Sequence, residues 1–265
     1  MLGRVEIRSL GFRTDVMARR AEGSEAVERD GYLVVRTPAN PEFYWGNFLL
    51  LAHPPADGDL GWWLARFASE FPAAGHVAFG IDVTKRQAFD AGAFAAAGFT
   101  LSEGNVMTTA AVREPTRRNL AVQIRTLAGE ADWPQSLALR LACHGDGGNG
   151  EFIVNRTTQA RRLTEAGHGA WFGGFLGGRL VCQTGLVWSD GPVARYQDVE
   201  THPVARRQGL AATLVWQAGL AGLARPGVTR LVIVADPGGG AERIYQRLGF
   251  TSTEEQLGLQ WTPAG

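Results

Sequence analysis

Tyr196-Gln197-Asp198-Val199-Glu200-Thr201-His202-Pro203-Val204-Ala205-Arg206-Arg207-Gln208-Gly209-Leu210-Ala211-Ala212 is the stretch on which the reading of this chain turns. Alternation from Val193 to Thr201 predicts a strand. A turn carrying Arg206 and Arg207 leads to Gly209, and a helix is expected from about Gln208 to Leu223. The first turn of a helix has unpaired N–H groups and a partial positive charge. Gly209 would let a ligand approach the backbone closely. Two arginines beside such donors suit a diphosphate. The same residues also read as a plain helix start with two solvated arginines, and the physics of the stretch leaves both readings open.

Downstream, Leu231-Val232-Ile233-Val234-Ala235 is a continuous apolar run of the kind found in a buried parallel strand. A short helix is expected from Ala241 to Leu248. Upstream, Leu120 to Leu127 alternates like a strand, with Leu120, Val122 and Ile124 on one face. Asp132 reads as the N-cap of a helix running to about Cys143. A polar helix is expected from Glu151 to Glu165, and a hairpin from Ala170 to Trp188 around Gly177-Gly178. The glycine-rich run from His144 to Gly150 follows no strand, so it reads as a flexible connection and not as a dinucleotide fingerprint. Arg113-Glu114-Pro115-Thr116-Arg117 is polar and carries a proline, which divides the chain into domains at 1–115 and 116–265.

Composition narrows the function. The 265 residues carry 26 basic and 26 acidic side chains, so the basic excess of a nucleic-acid binder is absent. Lys85 is the only lysine; an arginine-, alanine- and glycine-rich chain points to a GC-rich bacterial genome and carries no functional weight. No apolar run reaches the roughly 18 residues of a membrane span, and Arg4, Glu6, Arg8 and Arg13 break up any signal-peptide core. A cytoplasmic protein without a membrane partner is therefore expected. Cys143 and Cys182 are too few for a disulfide scaffold or a zinc site, the histidines show no paired spacing, and Cys143-His144 reads as a helix end, so no metal is expected.

Arg206-x-x-Gly209-x-Ala211 resembles the acyl-CoA pyrophosphate signature of the GNAT N-acyltransferase superfamily. Ala241-Glu242-Arg243-Ile244-Tyr245-Gln246-Arg247-Leu248-Gly249-Phe250 resembles that family's Ala-x-x-x-Tyr-x-x-x-Gly-Phe helix, in the expected order and after the apolar strand. The resemblance covers about Leu120 to the C-terminus. It implies an α+β fold, a mixed and mostly antiparallel sheet flanked by helices, whose strands at Gln197–Thr201 and Leu231–Ala235 splay apart. It also implies that acetyl-CoA is the co-substrate. Val199 and Thr201 would pair with the pantetheine arm, and Arg206, Arg207, Gln208, Gly209, Leu210, Ala211 and Ala212 would hold the diphosphate.

The expected reaction is acetyl transfer to a primary amine on a small molecule, by direct attack in a ternary complex. An acyl-CoA sensor and an acetyltransferase acting on protein N-termini or lysines remain as alternatives. An ammonium has no lone pair, so a base must take a proton. Asp198, Glu200 and His202 are the candidates. Strand alternation places Asp198 and Glu200 on one face, and Glu200 is favoured as the base. Tyr245 is the candidate acid for the departing thiolate. Cys182, within an apolar strand, reads as a buried thiol.

The first half reads as an eroded copy of the second. His53-Pro54 matches His202-Pro203, Val77–Asp82 matches Leu231–Asp236, and Phe94–Phe99 matches Tyr245–Phe250. Leu49 and Leu51 replace the two carboxylates, Phe94 replaces the phenol, and Asp57 and Asp59 occupy the diphosphate region. Two GNAT-like domains in tandem are therefore expected, the first unable to bind acyl-CoA in the usual way. Tyr44-Trp45-Gly46-Asn47-Phe48 reads as a substrate contact or as aromatic filling between the halves.

Overall fold

Hydrophobic patterning in the computed structural model resolves, among the described residues, into four buried clusters. The structure describes residues 6–85, 91–145, 150–189 and 191–263, apart from the side chain of Asp57. Residues 146–149 of the glycine-rich connection lie outside the described residues. The chain divides into two units, residues 1–106 with 253–265, and residues 107–252.

The second unit begins with β6 (Gln123–Thr126), α4 (Asp132–His144), α5 (Gly150–Glu165), β7 (Gly169–Leu176) and β8 (Arg179–Trp188). β9 (Val193–Thr201), α6 (Leu210–Leu223), β10 (Arg230–Ala235) and α7 (Gly240–Arg247) follow. Its strands lie in the order β10-β9-β8-β7-β6. β9 and β10 are parallel, and the remaining neighbours are antiparallel. α6 forms because Leu210, Leu214, Val215 and Ala218 recur on one face and are buried with Leu231, Ile233 and Tyr245. Each of the leucine, isoleucine and valine side chains contributes about 1.5–3 kcal/mol on burial. The Tyr196 hydroxyl donates to the Val215 carbonyl at 2.7 Å and ties α6 to β9.

Two expectations upstream need correction. Leu120 is 83% exposed and outside the strand. Asn119 Oδ1 accepts from the backbone N–H groups of Ala121 and Val122, a local turn that outcompetes the alternating pattern. Asp132 is the first helical residue and caps nothing; Ala131 is the N-cap. The Asp132 carboxylate instead takes both Arg125 guanidinium nitrogens and the N–H groups of Ala128 and Gly129, which hold its pKa far below the usual range.

The first unit contains α1 (Leu10–Ala21), β1 (Glu25–Arg29), β2 (Tyr32–Arg36), β3 (Phe48–Leu51), α2 (Leu60–Glu70), β4 (Val77–Ile81) and α3 (Gly92–Ala96). β5 (Thr100–Thr109) contains the boundary at residue 106. The last strand, β11 (Thr251–Trp261), is antiparallel to β4, pairing Leu257 with Ile81 and Leu259 with Phe79. A single cut near residue 115 therefore does not separate the units, because Leu257 and Leu259 belong to the first unit's core. The expected aromatic segment packs within this unit: Trp45 lies 5.8 Å from Phe48 and Tyr44 stacks on His76 at 4.3 Å. No helix among the described residues is long and apolar enough to cross a membrane.

Gly258 lies against Trp45, whose ring would stand 2.2 Å from any Cβ at that position. Gly258→Val is expected to destabilise the protein by about 1–3 kcal/mol through overpacking. Urea unfolding checks this; an unchanged midpoint would show that β11 is not held against that ring.

Candidate active site

The site starts with an extra residue in β9. Gly185 of β8 faces Gln197, but Gln183 faces Glu200. Asp198 and Val199 therefore stand opposite Thr184 alone, a β-bulge, and Asp198 takes a φ of 48°. A bulge bends its strand and sharpens the local twist. On the other side, β10 follows β9 only from Val193 to Arg195. Where the ladder stops, a cavity of about 780 Å³ opens. Such a volume is that of a site for a cofactor-sized molecule. The splay that the resemblance implies is thus present, and the bulge lies beside it.

Val199, Thr201, Arg206, Arg207, Gly209, Leu210, Ala211 and Ala212 all line this cavity, as do Glu200 and Tyr245. Asp198 and Gln208 are not among its lining residues. α6 begins at Leu210 with no side-chain cap, so among the described residues no side chain caps its first-turn donors. The reason for Gly209 differs from the expected one. Its φ is +76°, and a Cβ there would stand 2.6 Å from the Arg117 carbonyl oxygen. Glycine is needed here for the protein's own backbone. Arg206 Nε donates to the Thr201 carbonyl at 3.2 Å, and the Gln208 carbonyl accepts from Asn119 Nδ2 at 2.9 Å.

The two carboxylates have different surroundings. Asp198 Oδ2 accepts from Arg140 Nη1 at 2.9 Å and from Arg156 Nη2 at 3.1 Å. Both arginines are buried, so Asp198 is their counter-ion. Glu200 Oε2 accepts from Gln183 Nε2 at 2.7 Å and lies 3.9 Å from Arg140 Nε. Both acids thus reach Arg140, although the bulge breaks strict alternation between them. Burial pushes the Glu200 carboxyl up, and Asp198 adds to this; Arg140, Gln183 and His144 pull it back. A raised carboxyl that faces a cavity is suited to accept a proton at neutral pH. His202 has turned away, its Nδ1 accepting from the Val204 N–H in the turn and its side chain not lining the cavity.

Tyr245 is 4% exposed and lines the cavity, and its hydroxyl makes no hydrogen bond among the described residues. Burial, with Asp236 nearby, pushes the phenol well above its usual 10, so it keeps its proton. Cys182 is fully buried, and burial pushes its thiol up to about 12, as expected of an inert core residue. Among the described residues, no group of three or more His, Cys, Asp or Glu side chains could hold a metal ion.

Sequence reasoning missed the residues that α4, α5 and β8 bring to the site: Ser136, Arg140, Cys143, His144, Arg156 and Gln183. A signal was present in part. Ser136, Arg140, Cys143 and His144 are spaced to share one helix face, and Gln183 is a long polar residue in an otherwise apolar strand.

In the first unit the corresponding strands stay zipped. β3 and β4 pair from Leu49–Phe79 to Leu51–Ile81, and the Asp82 N–H continues the ladder to the Leu51 carbonyl at 2.9 Å. The Asp82 carboxylate accepts from the N–H groups of Arg8 and Ser9, and the Arg8 guanidinium donates to the carbonyls of Ala52 and Asp82. The space beside His53 and Pro54 is about 100 Å³. Asp59 Oδ2 accepts from the Ala56 N–H.

Gly209→Ala is expected to destabilise the second unit by about 1–3 kcal/mol, the cost of a left-handed non-glycine residue, with the Arg117 contact added. A thermal unfolding scan tests this; a variant as stable as the wild type would mean that the turn before α6 has another shape.

Residues 141–250 match the family model described as Acetyltransferase (GNAT) family. No curated protein sequence matches the chain. Among solved structures, a GCN5-related N-acetyltransferase from Kribbella flavida is similar at 17% identity and a TM-score of 0.66, covering 97% of both chains. A conserved protein of unknown function from Staphylococcus epidermidis aligns at 12% identity and a TM-score of 0.68, over 91% of this chain and 95% of that one. A tandem GNAT protein from the clavulanic acid biosynthesis pathway aligns at 15% identity and a TM-score of 0.53, over 97% and 96%. At these identities the structural likenesses concern the fold, a mixed and mostly antiparallel sheet flanked by helices. The residues matched to that family model, 141–250, include the motif residues that surround the cavity between the diverging strands.

Proposed function

We propose that this protein transfers an acetyl group from acetyl-CoA to a primary amine on a small molecule, by direct attack in a ternary complex. One observation carries the reading. The uncapped start of α6, the open edge of β9, the Glu200 carboxylate and the unpartnered Tyr245 hydroxyl all face the same cavity.

Each part has a chemical task. The first-turn N–H groups of α6, with Arg206 and Arg207, hold the diphosphate. The backbone of Val199 and Thr201, which β10 does not pair, receives the pantetheine arm. Glu200 takes a proton from the ammonium, so the neutral nitrogen can attack the thioester carbonyl carbon. A C–N bond forms, then the C–S bond breaks and the thiolate leaves. Tyr245 donates its O–H to that sulfur, the acylated nitrogen gives up its second proton to solvent, and the phenolate takes one back, so one proton is released per turnover. Burial disfavours a free thiolate beside the phenol, which favours protonation of the leaving sulfur. The first unit, with a closed strand pair, takes no acyl-CoA in this reading.

Isothermal titration of acetyl-CoA should give one site per chain; two sites would contradict a silent first unit, and none would remove the assignment. Tyr245→Phe should lower turnover, measured as free thiol released with a panel of amines, and leave acetyl-CoA affinity nearly unchanged. Lost affinity would make Tyr245 a packing residue. Glu200 acts only when ionised, so activity should rise with pH through its titration. Burial raises that midpoint, which places the acid limb above the ordinary carboxylate value of 4.5. The limb should vanish in Glu200→Gln, and its survival there would assign the base elsewhere.

A further inference from the structure

A buried base that has taken a proton must release it before the next turnover. Glu200 is held from one side only. Its Oε2 accepts from Gln183 Nε2, and Gln183 is fully buried. The amide of Gln183 cannot flip, because its Oε1 accepts from Ser136 Oγ at 2.6 Å while Nε2 also reaches the Ser136 carbonyl at 3.4 Å. Glu200 Oε1 has no hydrogen bond among the described residues and lies 3.8 Å from His144 Nε2. The Glu200 side chain is 12% exposed and that of His144 42%, so the pair runs from the interior to the surface.

The other groups around Glu200 are poor carriers. Arg140 from α4 and Arg206 from the turn before α6 stay charged. Cys143 from α4 has its thiol raised by burial. Asp198 on the same strand is bound by two guanidiniums, and Tyr245 from α7 is raised by burial. Imidazole is the one side chain there whose chemistry suits both gain and loss of a proton near neutral pH.

We propose that His144 passes to solvent the proton that Glu200 takes from the amine, with Gln183 as the positioning residue that turns the free carboxylate oxygen toward it. This rests on the reading of Glu200 as the base. The amine N–H breaks as the Glu200 Oε1–H forms. The proton then moves to Nε2 of neutral His144, and the imidazolium loses one proton to water or buffer. One proton enters and one leaves, and His144 touches no reacting atom. The 3.8 Å separation must close by about 1 Å for transfer, a change common on substrate binding.

His144→Gln should lower turnover in dilute non-imidazole buffer by about tenfold or more, leave acetyl-CoA affinity unchanged, and regain activity as imidazole is added. A second measurement needs no acceptor: titration of ¹³C-labelled glutamate carboxyls. The Glu200 midpoint should move up in His144→Gln, because an imidazole that favours the carboxylate when protonated is gone, and should also move up in Gln183→Leu. If Gln183→Leu does not fold, Ser136→Ala loosens the same amide. Turnover without imidazole dependence and an unshifted Glu200 titration in His144→Gln would overturn the relay alone. Full turnover in Glu200→Gln would overturn the base assignment and the relay with it.

Discussion

The second unit depends on a charge contact at the bulge. Arg140 and Arg156 come from two helices and are both buried, so each needs an anion. Asp198 supplies it, and can do so only because an extra residue turns the strand at that point. Breaking such a contact leaves uncompensated buried charge, which costs about 3–5 kcal/mol when burial is complete and less here, since the Asp198 side chain is 27% exposed. The docking of α4 and α5 and the bend in β9 therefore support one another. Arg140 also lies over the Trp171 ring at 5.2 Å, although its Nε and Nη2 lack hydrogen-bond partners.

The two units show what that bend decides. Each runs strand, turn, helix, parallel strand and short helix in the same order. In the first, an unbroken register between β3 and β4 and the Asp82 contacts to Arg8 and Ser9 keep the strands together. In the second, the ladder ends at Val232–Arg195 and a cavity takes its place. One inserted residue, with buried cations to hold it, separates a filled seam from an open one.

Burial then sorts the titratable groups. Desolvation favours neutral forms, so it raises Glu200, Tyr245 and both cysteines together. What distinguishes them is contact. Cys182 is enclosed, whereas Cys143, Tyr245 and Glu200 face the cavity; Arg140, Gln183 and His144 moderate Glu200, and Arg206 and Arg140 moderate Cys143. The same physical effect gives an inert thiol in one place and, in the proposed reaction, an acid and a base in another.

Much of the second unit was legible in the sequence. β9 falls within the limits its alternation predicts, β10 and α7 within a residue of theirs, and the motif around Arg206, Gly209 and Tyr245 marks the cavity that the structure contains. These are local signals: periodicity, a turn and a helix start, all within reach of a few neighbouring residues. The bulge was not legible, because alternation continues through Asp198 and only the partner strand reveals the extra residue. Nor was the network of Ser136, Arg140, Arg156 and Gln183 around the carboxylates, since a buried ion pair is set by which helices pack on the sheet. The place of the last strand in the first unit was hidden for the same reason. Sequence by itself determined the elements and the motif that lines the cavity; tertiary structure alone decided which strand edges stay open and which charges meet, because both depend on contacts between segments far apart in the chain.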